Sequence, residues 1–232
     1  MQIKNPLRHG LCVAMAAGLL FGLATCALSH KRDLVWSYEW WVAYEGEREL
    51  EFWFTDFGGG KSDVWLEFEY GVDGHYMVAP YLLMERDGSD LRVVGWKFEQ
   101  RYSFGEFAFD RVLPGLYFEV KKEGGEAYEL EAKLITTVAF SSGYNWTTNI
   151  IAEGKADGKN AVEWEYSTGV SFREGRKLSY GIEAFGNITK QRHFVGPTIG
   201  LQLDRGQKVL VGYGVSTKGA PGRLRLIFEW EF

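Results

Sequence analysis

The sequence predicts an all-β fold: an antiparallel transmembrane β-barrel of about twelve strands in up-and-down order. Three observations predict it. Apolar and polar residues alternate from Glu47 to the end of the chain, turn-forming clusters interrupt that alternation at regular intervals, and the last segment carries an apolar residue at every second position up to Phe232.

The strands follow one by one. Leu50, Phe52 and Phe54 alternate with Glu49, Glu51 and Trp53, and Leu66, Phe68 and Tyr70 with Glu67 and Glu69. Val94, Trp96 and Phe98 interleave with Lys97, Glu99 and Arg101, and Leu116, Phe118 and Val120 with Tyr117, Glu119 and Lys121. Tyr128 to Leu134 alternate with Glu129, Glu131 and Lys133, and Val162, Trp164 and Tyr166 with Glu163, Glu165 and Ser167. A period of two sends the two sets to opposite faces of a strand. Between these runs stand Gly58-Gly59-Gly60, Asp73-Gly74, Asp87-Gly88, Gly105 to Pro114, Gly124-Gly125, Ser142-Gly143, Asp157-Gly158, Glu174-Gly175, Asn187 to Gln191, Arg205-Gly206 and Lys218 to Gly222. These residue types close hairpins cheaply. The breaks leave strands of roughly 9 to 14 residues, the length of a tilted strand crossing a bilayer. Pro80 and Pro197 fall inside strands, where each removes a ladder donor; a bulge or strand end is expected at both.

Either face could point inward, and size decides between them. About twelve strands enclose more space than apolar side chains can fill, so an oily interior would lose contacts. The expected arrangement has apolar residues toward lipid and charges toward the lumen, with closure satisfying every backbone group. The aromatics Tyr70, Tyr102, Trp146, Tyr180, Tyr213 and Trp230 suit interfacial girdles. At the C-terminus, Leu224, Leu226, Phe228, Trp230 and Phe232 alternate with Arg225, Glu229 and Glu231. Phe228, Trp230 and the terminal Phe232 resemble the signal read by the bacterial outer-membrane assembly machinery. That machinery and the outer-membrane lipids are the expected partners.

The N-terminus reads as an export signal. Lys4 and Arg8 precede an apolar run from Leu11 to Leu23 and small residues through Ser29, the order of a secretory signal peptide. Residues 1–29 are assigned to it, with cleavage before His30; lipidation at Cys26 is the alternative. Both cysteines, Cys12 and Cys26, lie in this segment. Loss of Lys4 and Arg8 leaves 24 Lys+Arg against 31 Asp+Glu, a net charge of −7. An acidic chain is a poor candidate for nucleic acid. Residues 30–46, rich in Trp and Tyr, form a lead-in that could stay periplasmic, enter the lumen or add a strand.

With this facing, Glu49, Glu51, Glu67, Glu69, Glu99, Glu119, Glu129, Glu131, Glu153, Glu163, Glu165, Glu183, Glu229 and Glu231 point inward. Asn149 joins them, and against them stand Lys97, Arg101, Lys121, Lys133 and Arg225. Two readings compete: pairing of opposite charges across neighbouring strands, which fills the barrel, or an acidic path favouring small cationic or polar solutes. The expected function is a small passive, porin-like channel in the outer membrane. A structural or assembly barrel is the alternative, with Phe107 and Phe109 in the Gly105–Pro114 turn as its docking surface. An enzyme is the weakest reading. After Ser29, histidine occurs only at positions 30, 75 and 193, and none is in register with Ser167 or Ser171. No cofactor is expected, and no spaced His/Cys pattern suggests a metal; Glu163 with Glu165 is the weak exception.

Several stretches also resemble a family of predicted proteobacterial outer-membrane barrels of unknown function. They are Glu99-Gln100-Arg101-Tyr102, Pro114 to Glu119, Glu129 to Leu134, Asn149 with Glu153, Tyr180 to Glu183, and His193 to Pro197. The likeness is patchy over roughly Tyr38 to Phe232, and is distantly similar to the transporter-like barrels of phenol-degradation pathways. It implies fold and location. The run Gly46 to Trp53 resembles that family's first strand.

Overall fold

In the computed structural model, which describes residues 32–232 except Asn160, Arg176, Arg205 and the side chain of Asp204, twelve antiparallel strands form a closed barrel. The signal-peptide reading of residues 1–29 falls outside the described residues. The strands are β1 (Arg48–Asp56), β2 (Lys61–Gly71), β3 (Tyr76–Asp87), β4 (Asp90–Ser103), β5 (Val112–Glu123) and β6 (Glu129–Ala139). They continue as β7 (Tyr144–Lys155), β8 (Glu163–Glu174), β9 (Leu178–Asn187), β10 (Arg192–Asp204), β11 (Gln207–Ser216) and β12 (Arg223–Glu231). Each strand pairs with its sequence neighbours, and β1 closes the ring against β12 from Glu49↔Glu231 to Asp56↔Leu224. No helix among the described residues is long and apolar enough to cross a membrane, which says nothing of strands.

The alternation sorts the faces as the sequence suggests. Phe52, Leu66, Phe98, Leu134, Ile182 and Val211 are 37–58% exposed on the outer face, whereas Glu49, Glu51, Glu67, Glu69 and Glu99 are at most 1% exposed. A side chain so buried in a single-layered ring has only the inside to occupy. Aromatic rings gather at both rims of the outer face: Tyr70, Tyr102, Trp146 and Tyr180 at the end where β1 starts and β12 finishes (the termini end of the barrel), Tyr128, Trp164 and Tyr213 at the far end. At the seam, Phe228 faces Phe52 across the ladder and Phe232 lies against Trp230 and Phe68, with ring centroids 5.5 and 6.5 Å apart.

Three expectations fail. Pro114 belongs to β5 rather than to the preceding turn, paired with Thr136. Pro80 and Pro197 create neither a bulge nor a strand end: Pro80 pairs with Phe98 and Pro197 with Ile182 in unbroken register, and only the opposite ladders, toward β2 and β11, skip positions there. A proline has no N–H to give but can still sit in a strand whose other edge is paired. The register shifts instead at Leu83/Met84 and at Gln202/Asp204. The first leaves Val94 as the extra residue opposite that step and turns it against the inner cluster of Tyr81 and Leu83, off the face of Trp96.

A ring of twelve ladders with no open edge resists detergent as a unit. Unheated protein in SDS should therefore migrate apart from boiled protein on a gel; identical mobility in both would contradict a closed barrel.

Candidate functional site

The interior is organised by residues 32–46, which form no strand; 32–43 run inside the ring and 44–46 are exposed at its rim. Of the possibilities left open by sequence, the structure takes the lumen insert. Leu34 and Val35 are fully buried, and Tyr38 and Trp40 nearly so. Val35 and Tyr38 share an apolar cluster with Trp53, Tyr117, Ile135, Leu210 and Ile227 from the inner face.

A chain inside a barrel brings backbone polar groups that the ladders do not satisfy. Inward side chains from neighbouring strands take them. Glu183 on β9 accepts the N–H groups of Val35, Trp36 and Ser37 at 2.7, 2.9 and 2.8 Å, and the Thr198 hydroxyl at 2.5 Å. Asn149 on β7 pairs with both polar groups of Tyr38, accepting its N–H at 2.7 Å and donating to its carbonyl at 2.8 Å; Ser167 donates to the same Asn149 oxygen. Thr137 on β6 accepts the Trp40 N–H at 3.0 Å. Charge fastens the start of the segment: Asp33 meets Arg173 at 2.7 Å and Lys208 at 3.1 Å, and Arg32 meets Glu51 at 3.5 Å. Two in-strand glycines make the space. A Cβ at Gly169 would lie 3.0 Å from Leu34, and one at Gly212 would lie 3.0 Å from Val35.

The predicted lumen residues fall into two groups. Toward the termini, Glu49, Glu51, Glu67, Glu69, Glu229 and Glu231 are buried around the inserted segment. Arg101 bridges Glu69 and Glu99, and Tyr81 donates to Glu99 at 2.7 Å. Toward the far end, Lys97 meets Glu119 at 2.7 Å, Lys133 meets Glu131 at 2.8 Å, Lys121 meets Glu129, and Lys190 meets Glu163 at 2.7 Å. Asn187 donates to both Glu163 and Glu165 at 2.7 Å.

Opposite charges pair across neighbouring strands, as Lys97 with Glu119 and Lys121 with Glu129 do, but most of these residues stand in register opposite a like charge. Glu51 stands opposite both Glu67 and Glu229, and Glu49 opposite both Glu69 and Glu231. Glu99, Glu119, Glu131, Glu153 and Glu163 follow one another from strand to strand in direct register. Lys121 with Glu129 is a direct opposite pair; Lys97 and Arg101 instead reach diagonally or over a strand. Like charges in direct register repel, so long cationic side chains are needed to bridge between rows.

The inserted segment parts two cavities. The far-end cavity, about 310 Å³, is floored by Trp36 and Tyr38 and walled by Trp53, Trp65, Lys97, Glu119, Glu153, Arg223 and Arg225. Its lining includes seven cationic and five acidic side chains, so the acidic surplus of the sequence does not extend to this accessible space. The other cavity, about 430 Å³, lies at the termini end among Trp40, Trp41, Val42, Tyr44, His75, Ser103 and Phe107. Phe107, expected as a docking residue, packs 4.9 Å from Trp41, while Phe109 is 57% exposed. His75 lies 3.5 Å from the Ser103 hydroxyl and 3.8 Å from Glu106, itself 94% exposed. His193 contacts the Tyr166 hydroxyl at 3.4 Å. Among the described residues, three carboxylates gather at Glu49 with Glu51 and Glu229, and at Glu51 with Glu67 and Glu69.

Sequence reasoning missed Thr137, Arg173, Lys208 and the two glycines that admit the segment. In-strand glycine is the one signal that points to close approach of another backbone.

No protein-family profile matches the chain, and no curated protein matches it. Solved structures do. A KdgM porin in complex with disordered oligogalacturonate superposes with a TM-score of 0.63 at 8% identity, covering 79% of this chain and 99% of that one. An outer membrane channel from Pseudomonas putida F1 gives 0.60 at 8% identity, covering 86% and 100%. A NanC porin gives 0.59 at 7%, covering 79% and 98%. At these identities the likeness is one of fold. The chain has the porin-type barrel fold.

Replacing Glu183 by Ala removes the acceptor for three successive N–H groups. It should cost about 2–4 kcal/mol, since a hydrogen bond to a charged group is worth about 1.5–3 kcal/mol and the freed donors can partly rehydrate. Denaturant unfolding in micelles reads the loss, and faster proteolysis within residues 32–46 should accompany it. Unchanged stability and unchanged cleavage would mean that Glu183 does not hold the segment.

Proposed function

We propose that this protein is a bacterial outer-membrane barrel of the channel class, held closed in this conformation by its own N-terminal segment. The sidedness of the sheet carries the reading. An apolar belt with aromatic rims surrounds an enclosed, charged interior, the distribution that lipid outside and water or polar groups inside require. The fold shared with porins and an outer membrane channel supports the same class. Export by a cleaved signal peptide and recognition of Phe228, Trp230 and Phe232 by the assembly machinery complete the proposed route to the membrane.

Small polar solutes are the proposed cargo. A path opened past the glutamate rows favours cations, as acidic rings do in cation channels. A path along the far-end arginines favours anions. The filled interior also favours a second reading, a structural barrel that never conducts. With residues 32–43 seated between two cavities, the lumen has no need to open for a scaffold.

Conductance separates the two. In planar bilayers the intact protein should be silent or flicker, whereas the double variant Glu183→Ala, Asn149→Ala should conduct in discrete steps whose reversal potential reports ion preference. Continued silence in a variant that still folds would favour the scaffold. The membrane reading itself predicts that Leu134→Arg, at the middle of β6 on the outer face, costs about 2–4 kcal/mol in lipid. Reversible unfolding in bilayers measures it, and a neutral effect there would argue against lipid on that face.

A further inference from the structure

Seven cationic side chains line the far-end cavity, and four of them, Lys97, Lys121, Lys133 and Lys190, are ion-paired with glutamates. Arg223 and Arg225 on β12, like Arg192 on β10, form no ion pair among the described residues. Arg225 donates from Nε to the Thr55 hydroxyl at 2.9 Å and otherwise rests on aromatic faces. Its guanidinium lies 4.1 Å from the Trp36 ring centre and 5.2 Å from that of Trp53. From Trp36 a stack continues to Phe185 at 4.1 Å and on to Phe194 at 5.2 Å, and Arg223 sits 4.4 Å over Phe194. Two guanidiniums thus cap one aromatic stack along the cavity wall.

An arginine stacked on rings keeps its N–H edge free, and that edge matches a carboxylate in bidentate geometry. Cation–π contacts hold the charge in place without neutralising it. On the opposite wall, Lys97, Lys121 and Lys133 each have a glutamate partner, so the unpaired positive charge sits on β12 and on Arg192 of the neighbouring wall. A volume of about 310 Å³ suits a small organic molecule rather than a lone inorganic ion.

We propose that this cavity binds the carboxylate of a small, flat-faced organic solute, with Arg225 and Arg223 on its oxygens and the tryptophans against its ring. The site rests on the channel reading for its purpose, as the place where cargo first docks, but its occupancy can be measured without conduction.

Trp36, Trp53 and Trp65 line the cavity and report binding through intrinsic fluorescence. The full chain in micelles is titrated with benzoate against benzyl alcohol, and with glucuronate against glucose. The carboxylate of at least one pair should quench saturably and its neutral counterpart should not. Arg225→Gln should weaken that binding about tenfold or more, one lost charge-assisted contact, and Arg225→Lys should fall between. Equal binding of the neutral compound, no response to either carboxylate, or wild-type affinity in a heat-modifiable Arg225→Gln protein would overturn the site. If Arg225→Gln does not fold, Arg223→Gln is read in the same way. Carboxylate binding with bilayers still silent after segment release counts against the channel alone; conduction without binding counts against this site alone.

Discussion

A stretch of polypeptide enclosed by a closed sheet must find partners for its N–H and C=O groups, because the ladders use their own. The interior of this barrel is arranged around that constraint. Glu183 takes three consecutive donors, Asn149 takes the donor and the acceptor of Tyr38, and Thr137 takes Trp40. These groups come from β9, β7 and β6, so one side of the ring supplies the polar seats. Apolar contact comes from all round the ring, from Trp53 and Ile227 at the seam, Tyr117 on β5, Ile135 on β6 and Leu210 on β11. The position of the segment sets the cavities above and below it, and with them every functional reading of the molecule.

Charge is distributed by the same geometry. Rows of glutamate in direct register cannot neutralise one another. The cations that serve them come from two positions away on the same strand, from a neighbouring strand or, for Arg101, from over a strand, and Arg32 comes from the inserted segment. The termini half of the lumen is accordingly a buried acidic zone, and the far half is a mixed one with its unpaired positive charge on β12 and at Arg192. A single net-charge figure averages over two environments that the segment keeps apart.

The strand count, the turns and the facing were legible because the pleat has a period of two and each hairpin needs its own turn residues. Glu49, Glu51 and Trp53 are inside and Phe52 outside, as their alternation implies. Pro80 and Pro197 were misread because sequence shows that a donor is missing but not which edge of the strand can spare it. Val94 was misplaced because the register shift beside it has no residue signature of its own. Among the site residues, the carboxylates were visible as inward positions. Their partners were not, since pairing depends on the stagger between strands.

By itself the sequence determined a closed ring of about twelve strands with an oily outside and a charged inside, because local alternation and turn chemistry repeat all along the chain. Only the tertiary structure decided that residues 32–43 fill that ring and that Arg225 rests on Trp36 without a carboxylate partner. Both depend on contacts between positions more than a hundred residues apart, as when Glu183 meets Val35. No local period records them; they exist only once closure brings opposite strands to face a common interior.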